Sequence, residues 1–174
     1  MDNTFHVFTD GSVIGNPGPG GWAAVLTSSD KRWEISGASA WTTISEMELV
    51  AAVEALHSIP VGSDVRLCSD SELLIHGMLF HIERWQSKGW HNSRGTPLQH
   101  QGLWRELLAM NERMNIHWHG SGDTAYIRSR PEPTHSPTKL RAPNGATCNW
   151  LHNHSTPPGS QAVLPVSQYF GDKQ

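Results

Sequence analysis

The chain has 174 residues, a formal net charge of −3 with neutral histidines, and two cysteines. That length fits one ordinary domain with a real core plus a tail. Two cysteines make no disulfide framework, which points to a reducing compartment. There is no basic-then-apolar leader at the N-terminus and no run long enough to span a bilayer, so the expectation is a soluble, cytoplasmic protein.

Phe5-His6-Val7-Phe8-Thr9 reads as a buried strand that ends in Asp10, with a glycine-rich turn over Gly15-Asn16-Pro17-Gly18 behind it. Gly20–Leu26 and Arg32–Ala38 read as the next two strands, completing an antiparallel meander. The apolar spacing of Leu49, Val53 and Leu56 predicts a helix over Glu46–His57, closed by Pro60 and Gly62. Val65–Ser69 follows as a strand. A helix precedes it, so it is expected to run parallel to one strand of the meander. Helical segments are expected near Glu72–Phe80, Ile82–Lys88 and Leu103–Met114, with a last short strand at Asn115–Trp118.

After residue 119 the texture changes. Seven of the eleven prolines fall in the last 55 residues, and apolar periodicity is lost. The division expected is a domain over 1–119 and a structureless tail over 120–174. Cys148, His152 and His154 in the tail are too few for a structural metal site.

Three acids stand in telling settings: Asp10 at a strand end, Glu48 early in a helix, and Asp70 at the end of a second strand. Three carboxylates delivered this way suit a divalent-metal site, because Mg²⁺ takes hard oxygen ligands and keeps several waters. Each acid also has a plainer reading. Asp10 before Gly11 can make a turn, Ser45-x-x-Glu48 fits a capping box, and Asp70 can cap the helix that follows. Residues 1–119 carry eight Lys/Arg against thirteen Asp/Glu. No basic excess therefore announces a nucleic-acid partner, although cations at the acid cluster would offset part of the charge.

Phe8-Thr9-Asp10-Gly11-Ser12, Thr43 with Met47-Glu48-Leu49, and Ser69-Asp70-Ser71 strongly resemble ribonuclease HI from about Phe5 to His119. The resemblance implies an α/β ribonuclease-H-like fold, a mixed five-stranded sheet with flanking helices, and metal-dependent cutting of the RNA strand of RNA–DNA hybrids by a monomer. It implies that Asp10, Glu48 and Asp70 are catalytic metal ligands for Mg²⁺, with Mn²⁺ as a substitute. Gly11, Ser12, Asn16 and Ser71 would line the hybrid's minor groove, where the 2′-hydroxyl is accessible. Thr43 would hold a phosphate. Trp85, Lys88 and Trp90 would form a handle on the DNA strand, with core packing as the alternative for both tryptophans and turn formation for Asn16. Ile44, Ser45 and Glu72 depart from the residues often found at those places in the family. Two other readings remain open: a non-catalytic or defunct product that keeps the fold, and another nuclease or transposase that shares it.

The resemblance also implies a Trp-Val-Lys-Gly-His-like phrase after Trp118, then a helix containing Ala-Asp-x-Leu-Ala. Neither occurs in this frame. A shifted frame would explain the gap, with a natural, unrelated tail as the alternative reading. Each codon's third base is joined to the next two, starting in the codon of His119. Read so, the Pro133–Thr134 junction permits Asp, Thr134–His135 permits Ala, and His135–Ser136 permits Leu. The whole stretch permits W-V-R-G-H-G-V-H-P-E-Q-A-R-A-D-A-L-A-N-E. The family's fourth Asp, its mobile His and its last helix would then all be encoded out of frame.

Overall fold

The computed structural model describes residues 4–120. The expected tail over 120–174, the missing last helix and Cys148, His152 and His154 lie outside the described residues, save for Gly120 itself.

β1 (Thr4–Val13), β2 (Gly18–Thr27) and β3 (Arg32–Thr42) form the antiparallel meander. The helix α1 (Ile44–His57) then carries the chain back, so that β4 (Asp64–Ser69) pairs parallel with β1. α2 (Glu72–His76), a π-helical turn (Gly77–His81) and α3 (Ile82–Ser87) follow. α4 (Gln101–Arg113) leads into β5 (Asn115–Gly120), which is parallel to β4. The sheet order is β3-β2-β1-β4-β5, the expected mixed five-stranded sheet. β1 and β4 are therefore central neighbours, and a strand-end residue on either is held by the interior of the sheet.

The period-2 pattern decides which face is buried. Phe5, Val7 and Thr9 of β1 and Val65, Leu67 and Ser69 of β4 are buried, and residues between them are more exposed. α1 lies against this face. Its Ala51, Ala52 and Ala55 are fully buried, and their small side chains let the helix approach the strands closely. Trp104 of α4 is buried beneath Trp85 of α3, their ring centroids 4.9 Å apart at 61°. Gly77 is required here, since a Cβ at that position would land on the Trp104 ring.

Several boundaries differ from expectation. β1 does not end at Asp10 but runs on to Val13, because Asp10 pairs with Ala23 and Gly11 with Trp22 in the β2 ladder. β3 extends to Thr42, and α1 begins at Ile44 rather than Glu46. Ladder hydrogen bonds outweigh the turn propensity of Asp-Gly. The two expected helical segments after Ser71 are one nearly continuous run, joined through the π turn.

Candidate metal centre and its surroundings

One ligand atom from each of Asp10, Glu48 and Asp70 lies within 4.8 Å of the other two. Asp10 comes from β1, Asp70 from just beyond the end of β4, and Glu48 from the second turn of α1. The strand register makes the first two meet, since Thr9 is paired with Ser69. Glu48 is brought in by a close approach of backbone to backbone. A Cβ at Gly11 would stand 2.8 Å from the Glu48 nitrogen and 3.0 Å from the Met47 carbonyl carbon, so only glycine fits. Through that gap the Gly11 N–H donates to Glu48 Oε1 at 3.2 Å, which aims the carboxylate at the strands.

Competing local roles are filled by other residues. Thr43, not Ser45, is the N-cap of α1 and accepts the Glu46 N–H at 3.3 Å. Glu46, not Glu48, reaches back toward the helix start, where it accepts from the Thr42 hydroxyl at 2.8 Å. Ser71, not Asp70, caps α2 and accepts the Leu74 N–H at 3.3 Å. The turn reading of Asp10 fails with the strand that contains it. The Thr42–Glu46 and Thr43–Glu46 pairings were not anticipated, although the i, i+4 and i, i+3 spacings carry their signature.

The electrostatics of the cluster are those of a cation site. Burial, first of all, pushes the Glu48 carboxyl up to about 8; the neighbouring Asp70 and then Asp10 add to the rise, and the Gly11 N–H partly opposes it. Glu48 is only 7% exposed, and its Oε2 is buried with no hydrogen-bond partner. A buried carboxylate oxygen left unsatisfied beside two further acids is costly unless a proton or a cation takes the charge. The donor set, three carboxylates with one orphaned oxygen, fits a hard divalent ion.

The remaining sequence-predicted residues fall at varied distances from this centre. Gly11 belongs to it directly. Ser12 is exposed on β1 one residue further along. Asn16, in the β1–β2 turn, accepts the Ile44 N–H on its Oδ1 at 3.3 Å, which ties the turn to the start of α1 beside Thr43. The handle is less coherent. Lys88 is exposed and Trp85 half-buried. Trp90 is a core residue at 8% exposure, with the Arg105 guanidinium 5.2 Å from its ring centroid. Its burial favours the core-packing alternative for Trp90 over a direct grip on a DNA strand. The backbone turns left-handed at Gly89 (φ 62°) and Trp90 (φ 65°), and the indole is placed in the hydrophobic core.

A mixed sheet with three acids converging from β1, the end of β4 and one helix makes an α/β domain with a candidate cation site. Residues 2–120 match the family model "RNase H". A protein named "Ribonuclease H" from Chromohalobacter salexigens is 43% identical over 113 residues, which cover 65% of this chain and 69% of the relative. The protein of the same name from Caldanaerobacter subterraneus subsp. tengcongensis is 44% identical over 125 residues, covering 70% and 82%. The chain belongs to the RNase H family. Among solved structures, LC9-RNase H1, titled a type 1 RNase H with the type 2 active-site motif, has a TM-score of 0.62 at 22% identity, covering 72% of this chain and 65% of that one. LC11-RNase H1 in complex with RNA/DNA hybrid has a TM-score of 0.51 at 21% identity, with coverage of 70% and 89%. Both support the fold.

Proposed function

We propose that this chain is a metal-dependent endonuclease that hydrolyses the RNA strand of RNA–DNA hybrids, with Mg²⁺ as its ion and Mn²⁺ as a substitute. The observation that carries the reading is the convergence of Asp10, Glu48 and Asp70, with an orphaned carboxylate oxygen, in a member of the RNase H family. Divalent ions held there supply an activated water and stabilise the charge on the phosphate. Asp10 and Asp70 are the ligands fixed by the sheet. Glu48 would complete the ligand set: its raised proton affinity favours the neutral form near pH 7 in the absence of a cation, and the Gly11 N–H orients its carboxyl group.

Hybrid recognition falls to the surface beside the cluster. Gly11, Ser12, Asn16 and Ser71 read the minor groove, and Thr43, at the start of α1, meets a phosphate where the helix N-terminus also favours an anion. Trp85 and Lys88 contact the DNA strand. Trp90 supports them from the core. Among the described residues no helix is long and apolar enough to cross a membrane. The reading is of a cytoplasmic monomer whose partner is the hybrid.

Residues 1–119 form the domain in this reading, and 120–174 are an out-of-frame tail. The end of the family match at residue 120, where the composition changes, supports this division. The shift would remove one carboxylate and one proton-handling histidine and leave the three acids in place. The decisive experiment compares cleavage of a labelled hybrid in Mg²⁺ by the chain as written and by a version with its frame restored at codon 119. The restored version is expected to be about 10²–10⁴-fold faster, the range for a positioned acid–base group. Equal rates would show that the lost residues are not needed. Absence of hybrid cleavage by both would reject the enzymatic reading.

A further inference from the structure

Asp10 lies inside the β1 ladder and Glu48 inside α1, whereas Asp70 is exposed and stands between β4 and α2, in neither. The sheet delivers Asp70 to the site, but the ladder ends one residue earlier. Ser69 is flanked there by Thr9 of β1 and Gly120 of β5. A residue just past the last ladder pair can still rotate about its own φ and ψ, and its carboxylate would swing with it unless the bend is closed.

Ser69 supplies the closure. Its Oγ accepts the Ser71 N–H at 3.2 Å, a bond that spans Asp70 and fastens the peptide on its far side. Ser71 is held in turn from the helix, its Oγ accepting the Leu74 N–H at 3.3 Å. Two hydroxyls in series therefore join the last residue of β4 to the first turn of α2, with the acid between them.

Burial separates this contact from an ordinary surface turn. Ser69 continues the buried row of Val65 and Leu67, and it is only 3% exposed. A hydroxyl in an apolar row costs free energy unless it makes a hydrogen bond, and the bond that Ser69 makes is the one across Asp70. Water competes poorly for a group so enclosed. Ser63, just before β4, gives the contrast. It is also buried, and its hydroxyl donates to the Pro60 carbonyl at 2.7 Å, but it lies at the opposite end of the strand from the acids.

We propose that Ser69 is a positioning residue for Asp70: its buried hydroxyl clamps the backbone beyond the acid and so sets where that carboxylate meets a cation. The proposal rests on the metal-binding part of the reading above and does not depend on the nucleic acid. Partners that orient a ligand without touching the metal commonly matter about 10–100-fold in metal affinity.

The test uses the full chain without nucleic acid and takes the Mg²⁺ dissociation constant from the rise of Tm with Mg²⁺ concentration. Ser69→Ala is expected to weaken Mg²⁺ about 10–100-fold. Ser69→Thr, which keeps the hydroxyl, should bind as the parent does, and Ser69→Val, of the same shape without it, should bind as weakly as Ser69→Ala. Ser63→Ala should lower the metal-free Tm and leave Mg²⁺ affinity unchanged, as a purely structural hydroxyl would. Parent-like affinity in Ser69→Ala, or equal affinity in the threonine and valine variants, overturns the clamp. Should Ser69→Ala fail to fold, the threonine–valine pair decides. A parent whose Tm does not respond to Mg²⁺ overturns the clamp and the metal centre together. Weakened Mg²⁺ binding in the variants, with no hybrid cleavage by the parent or its frame-restored version, upholds the clamp and removes the hybrid reading alone.

Discussion

The three-acid cluster and the Trp85–Trp90 handle are built in opposite ways. The acids are far apart in sequence and come together, because β1 and β4 are central neighbours and Gly11 lets α1 close on the strand. The handle residues lie within five positions, with the Trp90 N–H donating to the Trp85 carbonyl at 2.7 Å, yet their side chains differ in exposure. Trp85 lies half-buried on Trp104, Lys88 points to solvent, and Trp90 turns into the core through a left-handed backbone. Strand register brings distant residues together reliably, because each ladder hydrogen bond fixes the next pair. Nearness along an irregular segment does not, because one left-handed residue redirects the side chain that follows.

The largest effect should come from breaking the convergent region. Asp10→Asn keeps size and removes the charge, and is expected to slow hybrid cleavage in Mg²⁺ by about 10²–10⁴-fold. Binding of the same hybrid in EDTA should change little. A parallel loss of binding would mean that Asp10 is needed for the surface and not for the chemistry.

In the divergent region, Trp90 and Lys88 should behave as residues of different kinds. Trp90→Ala is expected to cost about 3–5 kcal/mol of stability, the range for removing a buried aromatic. Lys88→Ala should leave stability within about 0.5 kcal/mol and lower the salt dependence of hybrid binding by about one unit of slope. Urea unfolding and anisotropy against salt separate the two. If Trp90→Ala folds normally and loses hybrid affinity, Trp90 belongs to the binding face after all.

Gly11→Ala tests the close approach itself. The added methyl meets backbone of α1, which cannot swing aside, so a cost of about 1–3 kcal/mol is expected. Cleavage should fall with it, because Glu48 loses its aim. Activity fully preserved alongside lowered stability would detach Glu48 from the reaction.

The smallest and most specific effect concerns pH. The folded state holds the Glu48 carboxyl up at about 8, above its ordinary 4.5. A raised acid stabilises the fold while protonated, so without metal that contribution is complete below about pH 4.5 and lost as pH rises through 8. Glu48→Gln should therefore raise the Tm of the metal-free protein at pH 9 by several degrees and hardly change it at pH 5. A uniform shift at both pH values would mean that Glu48 is not held neutral by its surroundings.

The sequence alone determined the five strands, their mixed sheet and the identity of the three acids. Alternation over Phe5–Thr9 and Val65–Ser69 and the i, i+4, i+7 spacing of Leu49, Val53 and Leu56 are local signals that the core reinforces. The break in texture after residue 119 was equally legible, because composition needs no tertiary context. Only the tertiary structure decided what each candidate does. Ser45–Glu48 and Thr43–Glu46 both have the spacing of a cap, and the true helix start at Ile44 selects the second. Asp10-Gly11 has turn propensity, yet pairing with Ala23 and Trp22 keeps it extended. Trp85 and Trp90 look alike in sequence, and a left-handed turn with the core behind it sends one half out and the other in. Local propensities are worth about a kcal/mol or less, and the ladders and buried contacts that override them exist only between residues the sequence keeps apart.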